Sequence, residues 1–181
     1  MKTTNLFLSV TLLVATLCSF SNSSRAQSYK ETVAENPNAD RDIKVVTDYI
    51  QAIVSGNQDK ARSLALPNYK NYGPSLTDST TLNQDMEIWQ QNYKTQQNRR
   101  VTAVANTFRV KEGPFTGDWV SVWGDYSFTQ NGKKITFPYH IQAQVREGKL
   151  VRSRIYYDRL SVAQQQGYQL TPVGSAGKKG E

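Results

Sequence analysis

A carboxylate set among phenols is the arrangement in this sequence best suited to chemistry. Asp158 closes the run Ile155-Tyr156-Tyr157-Asp158, and the two-residue alternation of a strand puts it on one face with Arg152, Arg154 and Tyr156. Pairing brings Tyr126, Phe137 and Tyr139 to the same face. A carboxylate in an apolar cavity has its pKa raised by desolvation and acts as a base near neutral pH. Phenols beside it can donate to a developing enolate. Together they describe proton transfer next to a carbonyl. Two other settings suit Asp158: an ion pair with Arg152 or Arg154, which would lower its pKa, or a cap on the end of its strand. Arg154 reads either as an anchor for an anionic ligand or as a side chain snorkelling at the sheet edge.

The expected pocket wall is Phe108, Tyr126, Phe137, Tyr139, Arg154 and Tyr156, with Asp158 as the catalytic candidate. Few polar groups on an apolar wall is the pattern of small-molecule sites. His140 is the sole histidine, so no metal site is expected. There is no Gly-rich phosphate loop and no nucleophile elbow, and no cofactor is expected.

These residues need a sheet to position them. Asn131-Gly132 suits a two-residue type I′ hairpin turn. It sets Phe128 opposite Ile135, Tyr126 opposite Phe137, Gly124 opposite Tyr139 and Val122 opposite Ile141. The other face then carries Trp119, Ser121, Trp123 and Asp125 against Gln144, Gln142 and His140. A second turn at Glu147-Gly148 sets Val145 opposite Leu150, Ile141 opposite Arg154 and Tyr139 opposite Tyr156. A first strand over 101–111, with Val110 opposite Val120, brings Phe108 to the apolar face.

Before the sheet, the pattern is helical. Ile43, Val46, Ile50, Ile53 and Val54 form a stripe in a helix starting near Asp40 and stopped by Gly56. Asn57 caps a short second helix that Pro67 ends. Thr81 to Gln84 reads as a capping box, followed by the stripe Leu82, Met86, Trp89, Tyr93. Three helices and then a four-stranded antiparallel meander make an α+β domain. The predicted form is a cone-shaped barrel, three N-terminal helices packed on a curved antiparallel sheet of about four strands.

The ends read differently. Lys2, the apolar run Leu6 to Leu17, and Ser24-Arg25-Ala26 predict a signal peptide over 1–26, hence an exported protein, periplasmic or secreted, with no stable membrane anchor after cleavage. Cys18, the only cysteine, would leave with it. A flexible arm is expected over 27–39, the domain over 40–170 and a disordered tail over 171–181. Formal charge is +7, falling to +5 without Lys2 and Arg25. The basic residues are dispersed along the chain, which argues against a nucleic-acid partner.

Taken in order, Tyr49-Ile50-Gln51-Ala52-Ile53-Val54-Ser55-Gly56-Asn57, Leu64 to Tyr69 leading to Tyr72-Gly73-Pro74, Glu147-Gly148-Lys149-Leu150, Tyr157-Asp158-Arg159-Leu160 and Gln164 to Gly167 resemble the nuclear transport factor 2-like superfamily, within it the SnoaL-like group. The resemblance covers about Asp40 to Leu170. It implies a cone-shaped α+β fold, often paired as a dimer, and a range of roles from isomerases and cyclases to binding modules. It implies for Asp158 the role of the acidic base of the cyclases. The chain departs from them at Gly124-Asp125-Tyr126-Ser127-Phe128, where they often carry a histidine. The expected function is therefore an exported binding protein for a small hydrophobic or weakly anionic molecule, with a homodimer formed through the second sheet face. The alternative is an isomerase or cyclase using Asp158.

Overall fold

A computed structural model describes residues 28–171. The expected signal peptide over 1–26, with Cys18, and nearly all of the expected tail lie outside these residues. The described residues fall into two units, 28–31 and a body, 32–171. In the first unit Ser28 N donates to Glu31 Oε2 at 3.0 Å, closing the first turn of α1 (Tyr29–Thr32).

The body contains β1 (Val33–Ala34), α2 (Ala39–Ser55), α3 (Gln58–Leu64), β2 (Ala65–Tyr72), β3 (Ser79–Thr81), α4 (Leu82–Thr95), β4 (Gln97–Val101), β5 (Val104–Val110), β6 (Gly117–Gln130), β7 (Lys133–Arg146), β8 (Lys149–Tyr157) and α5 (Arg159–Gln166). The expected three helices and four strands thus become five helices and eight strands among the described residues. The strands form one curled, unclosed sheet in the order β1-β5-β6-β7-β8-β2-β3, with β4 also paired to β6. Among the described residues no helix is long and apolar enough to cross a membrane.

The helices form where the periodicity places them. Val46, Ile50, Ile53 and Val54 of α2 are buried, and Gly56 ends the helix at φ 91°. Asn57 caps α3 by accepting from Lys60 N at 3.0 Å. Both arms of the capping box close: Gln84 N donates to Thr81 Oγ1 at 3.4 Å, and Thr81 N donates to Gln84 Oε1 at 2.9 Å. These stripes pack on the inner sheet face, where Val120, Val122, Phe128 and Ile135 are buried.

The β6–β7 register is the expected one, with Tyr126 opposite Phe137 and Gly124 opposite Tyr139. Asn131 and Gly132 both have positive φ, as a type I′ turn demands. Glu147 and Gly148 also both have positive φ, and Val145 lies opposite Leu150. Directly after that pair the register shifts. Val151 is an extra residue in β8, so Gln144 meets Arg152, Gln142 meets Arg154 and His140 meets Tyr156. This bulge turns Arg152, Arg154 and Tyr156 outward and Ser153, Ile155 and Tyr157 inward. β5 is displaced by three residues from the expected pairing, an odd number that likewise reverses its faces: Val110 meets Gly117 and Phe108 meets Trp119, so Phe108 lies on the outer face.

Residues 33–38, expected in the flexible arm, are tied down. β1 pairs with β5, and buried Asn36 donates from Nδ2 to Asp42 Oδ2 at 3.0 Å and to Thr107 Oγ1 at 2.8 Å. Nearby, Arg109 clasps Asp118 through Nε at 2.6 Å and Nη2 at 2.7 Å.

Candidate functional site

The curled sheet and the helices line an open cavity of about 540 Å³. Its sheet wall is the inner face of β6 to β8, with Tyr126, Phe137, Tyr139, Ile155 and Tyr157. Opposite stands α4, whose stripe Asp85, Trp89, Asn92 faces the space at i, i+4 and i+7. The rim is formed by the β2–β3 connection and α5, where exposed Arg159 and Asp78 pair at 3.0 Å. The aromatic wall is tightly jointed. Trp89 meets Tyr126 edge-on at 6.0 Å, Tyr126 meets Phe137 edge-on at 5.6 Å, and Phe137 stacks on Tyr157 at 5.1 Å.

Among the described residues, Asp85 is the one carboxylate of the wall that is both buried and unpaired with a cation. Its hydrogen bonds have a fixed direction. Ser153 donates its only proton to Asn71 Oδ1 at 2.9 Å. The 2.6 Å contact between Tyr69 and Ser153 therefore has the phenol as donor. Asn71 Nδ2 then donates to Asp85 Oδ1 at 3.1 Å, and Tyr49 donates to Asp85 Oδ2 at 3.2 Å. The chain Tyr69→Ser153→Asn71→Asp85←Tyr49 thus points every proton at one carboxylate. Burial pushes the Asp85 carboxyl above the usual range, against the pull of hydrogen bonds from Asn71, Tyr49 and Thr80. Burial pushes the Tyr49 and Tyr69 phenols up too, so both remain donors. With three donors on Asp85, one lone-pair site of a carboxylate is left.

The expected site residues divide. Tyr126, Phe137 and Tyr139 line the cavity. Two of their polar groups are engaged: Tyr126 Oη donates to Gln96 Oε1 at 2.7 Å and Tyr139 Oη to the Thr102 carbonyl at 2.8 Å. Burial pushes the Tyr139 phenol up to about 12. Arg154, Tyr156 and Phe108 lie on the outer face, for the register reasons given above. There Arg154 donates to the Gly73 carbonyl at 2.9 Å and stands 5.1 Å over the Tyr72 ring. Asp158 is exposed and caps α5, accepting from Ser161 N at 2.9 Å. It has the strand-end setting, without the desolvation that the role of base requires. His140 sits on the outer face, 2.7 Å from Ser121.

Asp85, Asn71, Ser153 and Trp89 are site residues that sequence reasoning does not find. Periodicity assigns Trp89 to the core stripe of α4. A signal for Asp85 does exist, since an acid three residues after Leu82 and four before Trp89 interrupts that stripe. Asn71 sits in a segment that reads as a connection. Ser153 depends on the bulge.

No protein-family model and no curated protein matches the chain. Solved structures do match, at low identity. A hypothetical protein with a ketosteroid isomerase-like fold from Catenulispora acidiphila, in complex with trimethylamine, is 19% identical, covers 71% of this chain and 98% of its own, and has a TM-score of 0.57. A candidate SnoaL-like polyketide cyclase from Jannaschia is 14% identical over 73% and 95%, with a TM-score of 0.59. A LEH-like epoxide hydrolase from M. tuberculosis is 11% identical over 71% and 91%, with a TM-score of 0.56. The chain has the nuclear transport factor 2-like fold that its sequence resembles.

Proposed function

We propose that this chain binds a small, largely apolar organic molecule inside the curl of its sheet. The observation that carries the reading is the cavity of about 540 Å³, walled by Tyr126, Phe137, Tyr139 and Tyr157 and left open by the side chains around it. Volumes of several hundred Å³ with apolar walls and few polar groups are the form of ligand sites. The trimethylamine complex of the Catenulispora protein lends support, as a neighbour of this fold that holds a small molecule. The anionic preference drawn from Arg154 has lost its basis, because Arg154 faces away from the cavity.

The test uses Nile red, a neutral hydrophobic fluorophore. The parent chain should show saturable single-site enhancement. Ile155→Trp, which fills the cavity from the sheet side, should abolish it with an unchanged circular dichroism spectrum. Absence of binding to the parent, or equal binding by the filled variant, overturns the reading.

A second reading has one observation in its favour, the raised Asp85 carboxyl on the cavity wall. As a base it would take a proton from carbon next to a carbonyl and return it to another carbon, an isomerisation that balances without a further reactant. A β,γ-unsaturated ketone should then convert to its conjugated isomer with the parent and not with Asp85→Asn. Equal rates exclude it. Export by cleavage after Ala26, and pairing of two copies through the outer face, complete the reading. Amino-terminal sequencing of the mature chain and sedimentation velocity test them.

A further inference from the structure

We infer that the cavity is built for an organic cation, an amine or quaternary ammonium group carried on a hydrophobic body. The inference rests on the ligand-binding reading above and names the ligand's charge. It starts from an imbalance. Asp85 is buried, its partners Tyr49, Asn71 and Thr80 are all uncharged, and no Lys or Arg pairs with it among the described residues. A buried charge without a counter-ion is costly, and removing that cost is what a cationic ligand would do. The other charges of the lining cancel. Arg159, the only Lys or Arg among the described lining residues, is paired with Asp78 at the rim.

The hydrogen-bond chain points the same way. Four groups aligned to donate toward one carboxylate favour its anionic form. These bonds offset only part of the burial penalty, so the Asp85 carboxyl still lies above the usual range, and a cation in the empty space beside it would supply the missing counter-charge.

The aromatic wall adds a second attraction of the same sign. Trp89 lies one helical turn from Asp85 on the same face of α4, so carboxylate and indole are neighbours. Trp89 and Tyr126 meet at 78°, Tyr126 and Phe137 at 74°, so successive rings form walls near right angles. Ring faces carry negative potential and attract cations, Trp most strongly. An anion would meet both the ring faces and Asp85 with the wrong sign.

Charge can be separated from shape with three ligands of nearly one size. Phenyltrimethylammonium, tert-butylbenzene and benzenesulfonate are competed against Nile red on the full chain. The cation should bind roughly tenfold more tightly than its neutral isostere, and the anion more weakly than either. Trp89→Leu and Asp85→Asn should each bring the cation toward the isostere, read as the ratio of the two affinities within each variant. Because the cation does not titrate, its affinity should rise with pH as Asp85 loses its proton, and Asp85→Asn should flatten that rise. The other titratable groups that feel Asp85 are the phenols of Tyr49, Tyr69 and Tyr93, all pushed above their ordinary value by burial, so they stay protonated across the range. If Nile red binds and the three competitors follow hydrophobicity alone, the cation inference is overturned and the ligand-binding reading stands. If Nile red fails to bind, or binds equally to Ile155→Trp, both fall together. If Asp85→Asn does not fold, the Trp89→Leu result decides.

Discussion

The directed chain from Tyr69 to Asp85 makes a quantitative demand on two substitutions that look alike on paper. Tyr69→Phe removes the first donor. Ser153 loses an incoming proton but keeps the bond it donates to Asn71, so no buried donor is orphaned. The cost should be about 1 kcal/mol, the net worth of one hydrogen bond. In a chain of 181 residues that lowers Tm by roughly 2–4 °C. Asn71→Leu cuts the chain in the middle. It strands one hydroxyl proton on the Tyr69–Ser153 pair and strips a donor from a buried carboxylate. An orphaned donor costs about 1–3 kcal/mol and a bond to a charged group about 1.5–3 kcal/mol, so the total should reach roughly 3–5 kcal/mol. The double variant checks the count. Ser153 then has neither Tyr69 nor Asn71 to bond, so one hydroxyl proton stays stranded just as in Asn71→Leu alone, and the two costs should roughly add. Urea unfolding at pH 7, with m-values unchanged, supplies all three numbers. Equal costs for the two singles would refute the assigned direction of the protons.

Two more expectations follow from geometry. A Cβ at Gly124 would stand 2.0 Å from the Thr102 carbonyl oxygen, which is backbone and cannot swing aside. Gly124→Ala should therefore cost about 1–3 kcal/mol or more by urea unfolding, and an effect below about half a kcal/mol would mean that β6 and the β4–β5 crossing are less rigid than described. The Arg109 guanidinium, by its hydrogen bonds, holds the Asp118 carboxyl below the usual range. A lowered folded pKa gives stability that is present above the unfolded value near about 4 and lost as pH falls through the folded one. Arg109→Met should lower stability at pH 7, by a small amount because the Arg side chain is 42% exposed, and change it almost not at all near pH 2, both read by urea unfolding. A cost independent of pH would show that the arginine acts by packing.

How much is legible in the sequence depends on whether a residue's setting is local. The α2 stripe, the Asn57 cap, the Thr81–Gln84 box and the Asn131-Gly132 hairpin are all decided within a few residues, and all stand where the sequence places them. β2 is hidden because Pro67, Asn68 and Asn71 do not read as strand; its partner β8 runs parallel to it from the far end of the chain. The misplaced faces of β8 trace to one residue with no mark of its own. Val151 is neither Gly nor Pro, so nothing local announces a bulge. A balance of the two faces carries the missing information. An unbroken register buries Arg152 and Arg154 and exposes Ile155, while the bulged one buries Ser153, Ile155 and Tyr157. Asp158 follows the same error, since its expected place in the cavity assumes that register.

The bulge also bears on how such a protein could change its ligand over evolutionary time. Every side chain of β8 beyond Val151 owes its face to the position of that one extra residue. Arg152, held 4.9 Å over Trp119 and 5.3 Å over Phe115, and Ser153, hydrogen-bonded to Tyr69, are what keep it there. Were the irregularity to migrate toward the carboxyl end of the strand, Arg152 would turn into the cavity first and Arg154 next, with Ser153 and Ile155 leaving in exchange. A lining with a lone carboxylate would become one with arginines, and no lining position would need a codon for a new amino acid. A lineage could reverse its preference for charge through a slip of the backbone, ahead of any change in the alphabet of its pocket.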